Sequence, residues 1–270
     1  MSNQESDMSF LSHLEVLRWH LVRSIIVILF CSLFCFLIPG IIFEQILLGP
    51  TSTDFITYQF LSNISIFLGF GDLNFSQISN LSENMIALGV LDQLFTHVKV
   101  SFYAGFILSF PYVIWEIFRF VKPALNQNEN RMATSLMIFS SILFFLGLLF
   151  GYYIVVPLSV NFASAYSVSN QIVLNAEFIS FIALETTICF ANGFLFELPM
   201  IVYILSKFGL VTPDFLNKYK RHAIILILIF SAIITPPDIV SQLLVAFPVL
   251  ILYNISIFIS RKVINKREEI

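Results

Sequence analysis

Charge is scarce in this chain. Lys, Arg, Asp and Glu make up 11% of its 270 residues, where a soluble domain carries about a quarter. That scarcity argues against a water-soluble domain. The net charge of -3 leaves no broad basic field for nucleic acid. Cysteine is also rare. Cys31, Cys35 and Cys189 all fall inside apolar runs. Cys31 and Cys35 share a helix face, but no His or further Cys nearby completes a metal site. They read as small apolar residues of membrane helices. No Gly-rich phosphate-binding loop is present, and no internal repeat relates the two halves, which weakens an inverted-repeat transporter reading. No cofactor, metal or catalytic site is expected.

What the chain has instead is apolar length. The hydrophobic fraction is 58% and the mean hydropathy +0.89. Thirteen of the fourteen Lys and Arg residues gather in four clusters separated by apolar runs. Arg18 and Arg23 form the first; Arg119, Lys122 and Arg131 the second. Lys207, Lys218, Lys220 and Arg221 form the third; Arg261, Lys262, Lys266 and Arg267 the fourth. Lys99 alone breaks the pattern. Basic residues stay on the cytoplasmic side during insertion, so the chain crosses an even number of times between clusters. The first apolar run is too long for a signal-peptide core and lacks a small-residue cleavage site, so it is expected to be retained.

The expected fold is an all-α integral membrane domain over residues 1–270, with six transmembrane helices and both termini cytoplasmic. A spanning helix needs roughly 20 apolar residues. Residues 24–43, 97–118, 132–157 and 178–205 meet that need. The second span contains Pro111 as an expected kink. The third carries Gly147 and Gly151, small residues that let helices approach closely. The fourth is interrupted at Glu197-Leu198-Pro199. Residues 223–234 and 239–260 form short spans five and six, joined by Thr235-Pro236-Pro237-Asp238. Residues 44–96 form a long external loop. Its apolar stretch 55–70 reads as surface structure, because a span there would send every later basic cluster outside. Sequons at Asn63, Asn74 and Asn80 fall in this Asn- and Ser-rich loop. Residues 159–176 form a second external loop, and 259–270 a cytoplasmic tail.

Four motifs stand out. Residues 1–21 form a cytoplasmic amphipathic helix with Phe10, Leu14, Leu17 and Leu21 at helical spacing, and Ser12 with Glu15 fits a capping box. It contains His13-Leu14-Glu15-Val16-Leu17-Arg18. After span two comes Phe118-Arg119-Phe120-Val121-Lys122-Pro123-Ala124-Leu125, with Glu129 six residues past Pro123. Span four holds Phe196-Glu197-Leu198-Pro199. The turn before span six runs Thr235-Pro236-Pro237-Asp238-Ile239-Val240-Ser241-Gln242.

Together these resemble the TatC family, the multi-spanning component of the twin-arginine protein translocase. The resemblance covers nearly the whole chain, and the motifs occur in order at the expected topological places. It implies a receptor in the bacterial cytoplasmic (inner) membrane that binds twin-arginine signal peptides of folded cargo. It also implies assembly with TatA- and TatB-type single-span proteins, in multiple copies, and transport driven by the proton-motive force. The runner-up is a small proton- or ion-coupled secondary transporter using Glu197.

Residue by residue, the resemblance assigns signal-peptide binding to Glu129, Phe120, Pro123, Ala124, Leu125, Glu15 and Arg18. A carboxylate accepts two guanidinium hydrogen bonds side by side, which suits an arginine pair. Arg18 has a second reading, as an anchor to anionic headgroups. Contact with partner helices falls to Glu197, Pro199, Asp238, Gln242 and Pro50. For Glu197 the alternative is a structural hydrogen bond, with Gln242 as one partner; for Asp238 it is capping span six. One departure stands out. The family motif reads His-Leu-x-Glu-Leu-Arg, and Val16 occupies its acidic position. Glu15 precedes it by one residue, about 100° around a helix. Glu185 falls near the external water boundary and receives no role. His13, His20, His97 and His222 show no ligand spacing, and Trp19 and Trp115 suit the membrane interface.

Overall fold

The computed structural model describes residues 10–52, 54–67, 85–121, 130–166, 177–237 and 239–268. Among them the secondary structure is helical, with one isolated bridge between Ile86 and Glu177. Five helical stretches are long and apolar enough to cross a membrane: Glu15–Phe36, Asp92–Phe120, Ser135–Ala165, Phe178–Lys207 and Ser241–Asn265. Contacts divide the chain into two compact units. The first comprises Met1–Pro39 and His97–Ser141, the second Gly40–Thr96 and Ile142–Ile270.

In the first unit, α1 runs unbroken over Phe10–Phe36. The amphipathic stretch and the first span are therefore one helix, and Ser12 lies within it rather than capping it. The helix stops well before residue 43, because Pro39 excludes the helical conformation from the residue ahead of it. Helix α3 (Asp92–Val121), which follows α2 (Ile56–Phe67) of the second unit along the chain, faces α1 within this unit. A methyl group on Gly105 would collide with the backbone of Ser32, so the glycine permits close approach of α1 and α3. Phe36 stacks on His97 with ring centroids 4.1 Å apart. Serines within α1 turn their hydroxyls back on their own helix: Ser24 donates to the His20 carbonyl at 3.0 Å and Ser32 to Ile28 at 2.7 Å. Polar groups in an apolar surrounding are thereby satisfied without water.

The second unit opens with a π-helical segment, Gly40–Leu47, and a 3-10 turn, Gly49–Thr51. Helix α2 (Ile56–Phe67) follows. Its 12 residues rise about 18 Å. Helix α4 (Asn130–Phe150) continues through a π turn, Gly151–Val155, into α5 (Val156–Ala165). The third span thus runs past Pro157 instead of ending there. Pro157 has no N–H to give the preceding turn, and the Tyr153 carbonyl accepts from the Thr57 hydroxyl instead. Gly147 and Gly151 serve packing inside the chain. A Cβ on Gly147 would sit 2.5 Å from the Asn192 carbonyl, and one on Gly151 would sit 3.1 Å from the Cys189 Cα.

Helices α6 (Phe178–Phe196) and α7 (Leu198–Lys207) form the fourth of the five long apolar stretches. Thr212 caps the short α8 (Pro213–Lys218) by accepting from the Phe215 N–H at 3.2 Å. Helix α9 (Lys220–Ile234) has 15 residues, about 22 Å of rise, so it is short as expected. Helix α10 (Ile239–Glu268) is not short. It runs 30 residues through the basic tail, because Lys, Arg and Asn after Pro248 include no helix breaker. Its packing with α7, α8 and α9 gathers Val202, Leu216, Ile227, Ala246, Val249, Tyr253 and Ile257 into one apolar cluster. The Ser206 hydroxyl donates to Ser260 at 2.8 Å and the Tyr253 hydroxyl to the Leu216 carbonyl at 2.8 Å.

Candidate functional site

Two polar constellations sit in otherwise apolar surroundings, one in each unit. In the first unit, Glu15, Val16 and Arg18 are exposed on the early turns of α1. The Arg18 guanidinium lies 5.8 Å from the Trp19 ring centroid, and Arg119 lies 5.5 Å from that of Trp115. Each pair combines an aromatic ring and a cation, the combination found at membrane interfaces. Below them, one turn further along α1, His20 Nδ1 pairs with Glu116 Oε2. The Tyr112 hydroxyl donates to the other carboxylate oxygen at 2.9 Å. Glu116 is 1% exposed, so this carboxylate is enclosed and held from both sides.

Phe120, half-buried at the end of α3, meets the His20 ring edge-on at 6.0 Å. The clamp therefore ties the exposed N-terminal motif to the helix end from which the second motif departs. Glu129, Pro123, Ala124 and Leu125 lie outside the described residues. Sequence reasoning missed His20 and Glu116. The available signal was that ionisable residues in separate apolar spans tend to pair with one another.

In the second unit, Glu197 occupies the joint between α6 and α7. Pro199 is the second residue of α7, so the joint follows from its missing N–H. Around it the Glu197 N–H donates to the Phe194 carbonyl at 3.1 Å. The Glu197 carbonyl accepts from Met200 at 2.9 Å and Ile201 at 3.0 Å. Both Glu197 and Pro199 are buried. The Gln242 amide donates to the Leu228 carbonyl at 3.1 Å, which ties α10 to α9. The side chain considered as a partner for Glu197 thus has another bond. Asp238 lies outside the described residues. Pro50 is buried in the 3-10 turn, and its carbonyl accepts from the Tyr58 hydroxyl at 2.9 Å.

Glu185 departs most from its expected place. Rather than meeting an external water boundary, it is 1% exposed. The π turn packs against α6 one helical turn further on, where a Cβ on Gly151 would sit 3.1 Å from the Cys189 Cα. Burial pushes the Tyr58 phenol well above its ordinary range, and negative charge at Glu185 acts the same way, so its O–H stays a donor. Among the described residues, no cluster of three or more His, Cys, Asp or Glu side chains is arranged to hold a metal ion.

The arrangement has clear relatives. A family model described as Sec-independent protein translocase protein (TatC) matches residues 12–248. The Sec-independent protein translocase protein TatC of Blattabacterium sp. subsp. Periplaneta americana is 34% identical over 267 residues, covering 99% of this chain and 100% of the relative. The protein of the same name from Aquifex aeolicus is 32% identical over 266 residues, covering 97% and 99%. A crystal structure of a twin arginine translocase receptor, TatC, superposes with a TM-score of 0.71 at 31% identity. It covers 92% of this chain and 97% of that one.

Proposed function

The chain belongs to the TatC family of Sec-independent protein translocase proteins, and from that premise we propose how its residues divide the work. It is a multi-pass protein of the bacterial inner membrane and a receptor component of the twin-arginine translocase. That function displaces the secondary-transporter reading of Glu197.

Six crossings are made by α1, α3, α4 with α5, α6 with α7, α9 and α10. Both termini and the loops around Asn126 and Asn217 face the cytoplasm. The four basic clusters support this orientation. The short α9 is accommodated by local thinning of the bilayer.

Signal-peptide recognition falls to Glu129, which accepts the arginine pair, beside an apolar floor of Phe120, Pro123, Ala124 and Leu125. Glu15 and Arg18 present charge from α1 to the same peptide. The single observation that carries this reading is the clamp of His20, Glu116 and Tyr112. It fixes the early turns of α1 against the end of α3, so that two motifs far apart in sequence start from one support. Glu197, Pro199, Asp238, Gln242 and Pro50 contact TatA- and TatB-type single-span partners, in an assembly of several copies. The proton-motive force drives transport, without nucleotide hydrolysis and without nucleic acid.

A photo-crosslinking residue at position 120 tests the receptor site. It should capture a signal peptide bearing Arg-Arg and lose most of that product when the pair becomes Lys-Lys. Equal capture of both peptides would refute the assignment.

A further inference from the structure

The third and fourth basic clusters, separate in sequence, meet at one corner of the second unit. Lys207 closes α7, and Arg261 and Lys262 follow Ser260 along α10. The Ser206 hydroxyl donates to the Ser260 hydroxyl at 2.8 Å, so those two helix turns lie side by side. Two turns earlier on α10, the Tyr253 hydroxyl donates to the Leu216 carbonyl at 2.8 Å and holds α8 in place. Lys218 ends α8, and Lys220 and Arg221 begin α9. Lys218, Lys220, Arg221, Arg261 and Lys262 are exposed. None of them forms an ion pair among the described residues. From residue 207 to residue 262 the acids are Asp214 and Asp238. Asp238 falls in sequence between the opposite ends of α9 and α10, which leaves Asp214 as the acid of this corner.

The same corner exposes large apolar side chains. Phe208, Leu210, Phe215 and Tyr219 are exposed on the segment that joins α7 to α9. The Phe215 and Tyr219 rings lie 4.7 Å apart, and the Lys218 ammonium lies 5.8 Å from the Tyr219 ring centroid. The corner also stands where the apolar stretches Phe178–Lys207 and Ser241–Asn265 end, the level at which headgroups lie. A free anion such as inorganic phosphate would satisfy the cations and leave the apolar side chains in water. An anionic phospholipid answers both. Its phosphate accepts hydrogen bonds from Lys and Arg, and its acyl chains cover the apolar groups.

We propose that this corner is a binding site for anionic phospholipid. Arg261 and Lys262 from α10, with Lys218, Lys220 and Arg221 from the bend between α8 and α9, hold the headgroup phosphate. Phe208, Leu210 and Phe215 enter the acyl region beside it. The bound lipid fastens the α8 bend to α10 at headgroup depth and so sets where α9 begins relative to the bilayer. The site stands independently of the receptor reading, since it concerns the second unit alone.

The test uses the full-length protein in phosphatidylcholine nanodiscs. These carry a small fraction of photoactivatable phosphatidylglycerol or, in a parallel sample, of photoactivatable phosphatidylcholine. Adducts are mapped to residues 208–222. In the wild type the anionic probe should exceed the zwitterionic one there by about tenfold, and the excess should shrink in high salt. Arg261→Gln with Lys262→Gln should bring the two probes close to parity, although the altered residues lie on another helix. Lys218→Gln with Lys220→Gln should do the same. Lys99→Gln, a loss of charge on α3, should leave the excess unchanged, and so should added millimolar inorganic phosphate. The proposal is overturned if the probes label equally in the wild type, or if either neutralised pair keeps the wild-type excess. It is overturned too if Lys99→Gln loses as much, or if inorganic phosphate or a Glu-rich peptide abolishes the excess. Should one pair not accumulate, the other decides alone.

Discussion

Glu116 lies one helical turn before Phe120, enclosed between His20 and Tyr112. A hydrogen bond to a charged group is worth about 1.5–3 kcal/mol net, and an enclosed carboxylate that loses a partner costs more than the bond itself. His20→Ala should therefore lower the midpoint of thermal unfolding in detergent. Glu116→Gln should do so less, because its amide still accepts from Tyr112. In the double variant the losses should not add, since both remove one interaction. Additive losses would mean that the pair is not coupled. The same reasoning explains why Val16 need not harm the site. An acid is missing from the family position, but the helix carrying it is still anchored two residues after Arg18.

At the scale of elements, the helices are set by where backbone bonding is denied and where small residues allow contact. Pro199 makes the joint that holds Glu197, and Gly147 and Gly151 bring α4 and its π turn against α6. Gly147→Leu should destabilise the protein by about 1–3 kcal/mol or more, as overpacking does, because its first added carbon would already lie 2.5 Å from the Asn192 carbonyl. A thermal shift assay in detergent reads this, and an unchanged midpoint would deny the close packing. These devices were legible in the sequence: proline joints, the glycine pair and apolar runs all announce themselves locally. What was not legible came from partners distant in sequence. Glu185 reads as peripheral by its position along one helix, yet packing by other segments leaves it 1% exposed. Likewise, His20 and Glu116 are 96 residues apart, and neither carries a ligand-like spacing. Helix α10 outran its expected length because apolarity marks a span, whereas helix propensity continues into the basic tail.

At the scale of the whole molecule, composition and apolar length made the membrane class readable. The proposed receptor residues come from motifs rather than from packing. Single cysteines placed at Asn126 and Asn217 should stay unlabelled by an impermeant reagent in intact cells and become labelled once the membrane is opened. Labelling of either from outside would contradict the six-crossing topology. The central claim is that an arginine pair is read by Glu129 on the cytoplasmic side, separately from the transport role of Glu197. The direct measurement is titration of an Arg-Arg signal peptide against purified wild type, Glu129→Ala, Val16→Glu and Glu197→Ala. Loss of a charge-assisted contact predicts binding weaker by roughly 10- to 100-fold for Glu129→Ala. Val16→Glu should bind more tightly, by supplying a second carboxylate, and Glu197→Ala should bind like the wild type. Wild-type affinity in Glu129→Ala, or an equal loss in Glu197→Ala, would contradict the account.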